Sequence, residues 1–131
     1  MKKNSVSQFQ TKVSELLIRH RSILDSLTKF QESTSRVNRA FAKAVTNCGC
    51  ISVSATKQSC PSEADLADYK KYMDSHLQGE LCPVCREILE EELGNHLFYL
   101  TALCHLLDIK LTDVFATEYD RVTTLGYFHL S

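Results

Sequence analysis

The segment PVCREILEEELGNHLFYLTALCHLL, residues 83–107, predicts one helix with two apolar stripes. Pro83 suits the first position of a helix, because the N–H that proline lacks would have no partner there. One stripe comprises Leu89, Leu93, Leu97, Leu100, Cys104 and Leu107, and the other comprises Ile88, Glu92, Asn95, Tyr99, Ala102 and Leu106. A helix with two apolar sides packs on both, so we expect this helix to be central. One stripe should then face its own chain and the other a second subunit.

The residues before this segment also have helical periodicity. Apolar side chains recur at steps of four and three at Phe9, Val13, Leu16, His20, Ile23, Leu27 and Phe30, and the register continues to residue 44. Residues 6–46 are therefore predicted to form one long helix or two helices that nearly align. The expected weak point is residues 32–35, where hydroxyl side chains favour a helix cap and Ser33 or Ser35 could begin a second helix.

The remaining segments complete a predicted all-α bundle of four or five helices, in one domain over residues 1–131. Residues 47–62 predict a cysteine-containing loop with a short extended piece at 51–54, because small and β-branched residues replace the helical pattern. Ser62 is a plausible N-cap for a helix from residue 63 to about residue 77. A last helix is expected over residues 112–122.

Composition argues against several classes of partner. The 131-residue chain carries 15 basic and 16 acidic side chains, for a net charge of −1, which gives no general attraction to nucleic acid or to anionic membranes. The polar start of the sequence and the absence of a long apolar run argue against a secretory signal and a membrane span. We therefore expect a cytoplasmic protein, and a homodimer or higher homo-oligomer because of the two-sided central helix.

Two closely spaced cysteine pairs predict a metal site. Cys48 and Cys50 form a CxC pair and Cys82 and Cys85 form a CxxC pair, which together offer the four ligands of a tetrahedral zinc site. Cys60 could replace one ligand or be free. An iron–sulfur cluster, a redox pair or unliganded thiols are the alternatives. Cys104 lies within an apolar stripe and is expected in the core.

The stretch ILEEELGNHLFYLTALCHLLDIKLTDVF, residues 88–115, resembles the second conserved segment of MazG-like, all-α nucleoside triphosphate pyrophosphohydrolases. The resemblance implies carboxylates on two helices, an ExxE and an ExxD motif, that hold magnesium while water attacks the triphosphate. The ExxD motif falls on Glu92 and Asn95, so its aspartate is an amide here. Residues 35–45 contain no carboxylate for the ExxE motif. The resemblance therefore predicts the fold and argues against the activity.

These observations favour a diverged, non-catalytic MazG-like protein with a structural cysteine-bound zinc, acting as a binding or regulatory module. The alternative is a magnesium-dependent pyrophosphohydrolase that uses Glu87, Glu90, Glu91 or Glu92 in an altered arrangement, and a third possibility is a thiol-based redox or metal sensor. Basic side chains at Arg36, Arg39 and Lys43 are expected to form a solvated face. Their alternative is a site for an anion or for the phosphates of a nucleotide.

Overall fold

A computed structural model describes residues 5–126, and most of them are helical. The α-helices of this part of the chain are α1 (Val6–Leu16), α2 (Ile23–Lys43), α3 (Tyr69–Tyr72), α4 (Pro83–Leu106) and α5 (Leu111–Leu125). Two short strands, β1 (Ile51–Val53) and β2 (Leu77–Gly79), pair antiparallel, with Ile51 opposite Gly79. The predicted predominance of helix is confirmed. None of the helices within residues 5–126 has the length and apolar character needed to cross a membrane.

The break between the first two helices lies at residues 17–22, not at residues 32–35 as predicted. At this break the Ser26 hydroxyl donates to the carbonyl of His20, and Arg21 donates to the carbonyl of Leu17. Ser33, by contrast, is fully buried inside α2, where its hydroxyl donates to the carbonyl of Phe30 at 2.6 Å. A serine that satisfies its hydroxyl in this way need not end a helix.

The prediction of a helix over residues 63–77 is wrong. The segment forms a single 3₁₀ turn at Leu66–Asp68, the four-residue helix α3, and then an extended chain that enters β2. Its apolar side chains, among them Leu66, Tyr69 and Met73, are exposed. Short helices depend on packing of an apolar face, and this segment has little to pack against. The short extended piece expected at 51–54 is confirmed as β1.

The central helix is confirmed at nearly its predicted length, as α4. Its partner α2 runs antiparallel to it, since Ser33 contacts His96 while the later residue Arg36 contacts the earlier residue Glu92. Helix α1 packs on the second half of α4. Their shared core contains Val13, Leu17 and Ala102, with Phe9, Phe98 and Leu106 packed around it.

Helix α5 begins at Leu111, and the Gln10 side chain of α1 holds its start. Gln10 donates its amide hydrogen to the carbonyl of Ile109 and accepts from the backbone N–H of Leu111, both at 2.8 Å. The second bond satisfies one of the unpaired N–H groups at the start of α5, because Lys110 in the N-cap position supplies no side-chain cap. The predicted last helix is confirmed, and it is longer than expected.

Candidate metal centre

Four cysteine side chains converge where the end of α2 meets the start of α4. The sulfur atoms of Cys48, Cys50, Cys82 and Cys85 all lie within 4.8 Å of one another. Cys48 is exposed and the other three are partly buried. The two cysteine pairs, which are more than 30 residues apart in the sequence, therefore form one cluster, as their spacing predicted.

The CxC pair is presented by a tight turn at the end of α2. The helix widens into a π-helical turn over Ala44–Cys48, and Gly49 then adopts a left-handed conformation with φ of 78°. Its N–H donates to the carbonyl of Ala44 at 2.9 Å, which closes the turn. Glycine adopts this backbone conformation without steric cost, so the chain can reverse between Cys48 and Cys50.

The CxxC pair is presented by the first turn of α4. Cys82 is the N-cap of the helix, and its sulfur accepts a hydrogen bond from the backbone N–H of Cys85 at 3.4 Å. Pro83 occupies the first helical position, as predicted. A sulfur atom at a helix N-terminus lies near the positive end of the helix dipole, which favours the thiolate form.

The pairing of β1 with β2 brings the two cysteine pairs together. β1 follows directly after Cys50, and β2 ends three residues before Cys82. At Gly79 the strands approach so closely that a Cβ atom would lie 2.5 Å from the carbonyl oxygen of Cys50. Gly79 also has a φ of 86°. A side chain at this position would therefore push Cys50 away from the cluster.

The dimensions of the cluster fit a single tetrahedral ion. The Cys48 and Cys82 sulfur atoms are 3.8 Å apart. Zinc–sulfur bonds of about 2.3 Å in a tetrahedron give sulfur–sulfur edges of about 3.8 Å, whereas a disulfide bond is only about 2.05 Å long. The spacing of these thiols is therefore compatible with the ligands of one ion, and it is too long for a disulfide bond.

The cluster perturbs the acidity of its own thiols. The hydrogen bond from the backbone N–H of Cys85, together with one from the Cys85 thiol, lowers the pKa of Cys82 to about 7. The same thiol–thiolate contact and burial raise the pKa of Cys85 to about 12. Without a cation, one thiolate is favourable and further thiolates repel it. A divalent cation would remove this penalty and allow all four thiols to ionise.

The other two cysteines lie outside the cluster. Cys60 lies in the loop between β1 and α3 and does not belong to the group of four. Cys104 is buried in α4, as expected for a core residue, and burial raises its pKa. The structure thus assembles Cys48, Cys50, Cys82 and Cys85 without the fifth candidate.

The acidic positions of α4 have a different environment. The Arg36 guanidinium on α2 donates two hydrogen bonds to the Glu92 carboxylate, one of 2.7 Å from Nε and one of 3.1 Å from Nη2. This contact lowers the pKa of Glu92 and raises the pKa of Arg36. Asn95, one turn later on α4, is half-buried. A bidentate ion pair thus occupies the place where α2 and α4 face each other, one helical turn from the His96–Ser33 contact.

Of the three basic candidates, Arg39 and Lys43 remain available to a ligand. Within residues 5–126 neither side chain forms an ion pair, whereas Arg36 is paired with Glu92 and approaches Glu32. Arg36, Arg39 and Lys43 line a groove of about 300 Å³ between α2 and α4. Lys43 also lines an adjoining cavity of about 350 Å³, together with Cys48, Cys82 and Cys85. The basic groove and the cysteine cluster are therefore neighbours.

Sequence reasoning did not identify Gly79 or the Arg36–Glu92 pair as parts of the site. A glycine shortly before a CxxC pair is a weak sign of close backbone approach, and it could have been noticed. The ion pair depends on the register of α2 against α4, which the sequence does not give.

Comparisons of the chain with protein-family models, with curated proteins and with solved structures found no match.

Proposed function

We propose that this chain is a diverged, non-catalytic MazG-like protein that binds a structural zinc ion through Cys48, Cys50, Cys82 and Cys85 and acts as a binding or regulatory module. The observation that carries the proposal is the convergence of the four sulfur atoms within 4.8 Å of one another. Because zinc prefers thiolates and tetrahedral geometry, this donor set suits zinc better than it suits magnesium or manganese.

The proposed zinc has a structural role and not a catalytic one. Four protein sulfur ligands complete a tetrahedral coordination shell and leave no open position for water or substrate. The ion would tie the loop after α2 to the first turn of α4, two segments that otherwise meet through the three-residue strands β1 and β2. Metal binding would then contribute directly to the stability of the folded chain.

The ion pair between Arg36 and Glu92 supports a non-catalytic role. In the MazG-like enzymes that the α4 sequence resembles, carboxylates on both helices would hold magnesium. Here the α2 side chain facing Glu92 is a cation at 2.7 Å, which neutralises the carboxylate and repels a divalent ion. The resemblance thus supports a shared helical framework, while the residue types support loss of the magnesium chemistry.

The groove beside the metal centre is the place where we locate ligand binding. Arg39 and Lys43 lie one helical turn apart, and both line the groove over a floor that includes Ala40 and Ile88. Cations over an apolar floor suit an anion that carries a flat or apolar group, such as a nucleotide. The zinc would hold one end of this groove in place without touching the ligand.

Elemental analysis of protein purified without added metal tests the proposal directly. We expect about one zinc per chain, because a four-thiolate site binds zinc tightly at neutral pH. A content below about 0.2 zinc or iron per chain would contradict the metal site. Iron in place of zinc would keep the cysteine site and change its ion, since a single tetrahedral four-sulfur site suits either metal.

A further inference from the structure

The cysteine cluster is accessible to small solutes from one side. Cys48 is exposed, whereas the other three cysteines of the cluster are partly buried. The cavity of about 350 Å³ beside the cluster is lined by Cys48, Cys82 and Cys85. Buried structural cysteines are inert, whereas reactive cysteines lie in partly exposed positions. Among the four thiols, Cys48 is therefore the one that a reagent in solution reaches most easily.

The two cysteines of the CxC pair differ in their freedom to move. Cys48 ends the π-helical turn, and the space beside the next residue, Gly49, is open, with nothing within 4 Å of the position of a Cβ atom. Cys50 is held more closely. Its carbonyl oxygen lies against Gly79 of β2, and its thiol points to the carbonyl of Ala44 at 3.9 Å. Cys48 is thus the member of the pair that can shift towards a neighbouring sulfur.

Cys82 lies within reach of such a shift. The sulfur atoms of Cys48 and Cys82 are 3.8 Å apart. Since a disulfide bond is about 2.05 Å long, these two atoms must approach each other by about 1.8 Å to form one. Cys82 is fixed as the N-cap of α4 by the backbone N–H of Cys85, so the movement falls on the exposed turn that carries Cys48.

We propose that the cluster is an oxidation site, at which a peroxide converts Cys48 and Cys82 into a disulfide and so releases the bound zinc. This inference rests on the zinc site proposed above and adds a means of regulating it. The chemical class of the reagent is a small, uncharged peroxide such as hydrogen peroxide.

The oxidation proceeds in two steps. A thiol bound to a divalent metal is deprotonated, so the Cys48 sulfur is a nucleophile at neutral pH. It attacks one oxygen of hydrogen peroxide, the O–O bond breaks, hydroxide leaves, and Cys48 becomes a sulfenic acid. The Cys82 thiolate then attacks the Cys48 sulfur, and the S–S bond forms as the S–O bond breaks and a second hydroxide leaves.

The balance of this reaction explains the loss of the metal. The two sulfur atoms together lose two electrons, the peroxide gains them, and both hydroxide ions take protons from the solvent to become water. Only Cys50 and Cys85 remain as thiolates, and two ligands do not complete the tetrahedral shell that holds zinc. A dithiol reverses the reaction by thiol–disulfide exchange, which restores all four thiols.

Oxidation would also affect the basic groove. Lys43 lines both this groove and the cavity beside the cysteines. Loss of the ion would release the loop after α2, while the disulfide would draw the end of α2 towards the start of α4. The end of the groove at which Lys43 lies would therefore respond to the oxidation state of the cluster.

The test treats the full chain, with its zinc content measured first, with about one equivalent of hydrogen peroxide. We expect about one zinc to be released for each disulfide formed, as measured with a colorimetric zinc indicator. Peptide mass spectrometry should locate the disulfide between Cys48 and Cys82. Reduction with dithiothreitol, followed by added zinc, should restore the original zinc content.

Two variants separate the reacting thiol from the others. Cys60→Ser is the matched control, and it should release zinc as the native protein does, because Cys60 lies outside the cluster. Cys48→His keeps a possible fourth zinc ligand and removes the exposed sulfur, so we expect zinc release on the order of tenfold slower or less. If Cys48→His takes up no zinc, the position of the disulfide in the native protein decides.

Several outcomes would overturn the inference while leaving the proposed zinc site in place. They are a native protein that retains its zinc under peroxide, a disulfide that joins any other pair of cysteines, and a zinc-loaded Cys48→His protein that releases zinc as fast as the native one. Resistance of Cys60→Ser to peroxide would also overturn it, because Cys60 would then be the reacting thiol. A native protein that contains no metal before treatment would instead overturn the proposed zinc site, and this inference with it.

Discussion

Helices α2 and α4 meet at two places that have opposite metal chemistry. Near the end of α2 and the start of α4, four thiols lie within 4.8 Å of one another. About two turns further along α4, the carboxylate of Glu92 is held by the guanidinium of Arg36. The same pair of helices thus builds one group of four thiols and one carboxylate that is already paired with a cationic side chain. Side-chain charge, and not the position of the helices, decides which site can take a metal.

Loss of one thiol should have the largest effect. Cys82→Ser removes a ligand, whereas the serine hydroxyl can still cap α4, so we expect loss of the zinc and, from the lost metal, a fall in melting temperature on the order of 10 °C or more. Cys60→Ser is the matched control, because Cys60 lies outside the cluster. It should retain both zinc and stability. Chelation of the native protein should reproduce the Cys82→Ser melting temperature, measured by circular dichroism.

An equal effect of Cys60→Ser and Cys82→Ser would contradict this comparison. It would mean either that Cys60 contributes a ligand or that cysteine loss acts through folding in general. Retention of zinc in Cys82→Ser together with an unchanged melting temperature would show that the cluster does not hold the ion.

Lowering the pH should have the next largest effect, and it should affect the cysteine cluster before the Arg36–Glu92 ion pair. Zinc binding requires four thiolates, so the metal-bound state carries fewer protons than the metal-free state and acid favours the metal-free state. The pKa of Cys82 is about 7 and that of Cys85 is about 12 in the metal-free cluster. Below pH 7 each pH unit should therefore weaken zinc binding by up to about 10⁴-fold. Equilibrium dialysis between neutral and mildly acidic pH measures the loss.

The ion pair should persist over the same pH range. Arg36 lowers the pKa of Glu92 from its ordinary value of 4.5. A carboxyl group with a lowered pKa in the folded state contributes stability above its ordinary pKa and loses it only as the pH falls through the folded value. Acid unfolding of the metal-free protein should therefore begin below the pH at which zinc is released. Zinc that stays bound well below pH 5 would contradict the thiolate assignment.

The two places also differ in how far they could be predicted from sequence. Cys48, Cys50, Cys82 and Cys85 were identified from their spacing alone, because short-spaced thiols indicate a metal site in any helical context. The contact between Arg36 and Glu92 depends on the register of α2 against α4, which side-chain packing decides. The predicted break at residues 32–35 was wrong because Ser33 donates its hydroxyl to a carbonyl within α2 and also lies 2.8 Å from Nδ1 of His96.

The connection between the cysteine pairs was predicted less well than the pairs themselves. A helical pattern over residues 63–77 predicted a helix, but most side chains of that segment are exposed, and Leu77 pairs with Val53 in the small sheet. Pairing between strands distant in sequence overrides a weak local preference for helix. The strand pairing is nevertheless what brings Cys50 beside Cys82. The wrong prediction of a helix over residues 63–77 therefore missed β2, the strand that brings the two cysteine pairs together.

Removal of the Glu92 charge should have the smallest effect of these changes. In Glu92→Gln the amide keeps the shape of the side chain and can still accept from Arg36, and the Arg36 side chain is 56% exposed to water that screens its charge. We expect a fall in melting temperature of less than about 5 °C and unchanged zinc content.

Neither the native protein nor Glu92→Gln should release pyrophosphate from nucleoside triphosphates with magnesium or manganese, because Arg36 occupies the carboxylate that a hard cation would need. Robust turnover by the native protein that disappears in Glu92→Gln would contradict this prediction. It would show that the carboxylates of α4 bind a catalytic metal and that the thiols have a structural role only. Loss of zinc in Glu92→Gln would instead show that the two places are not independent.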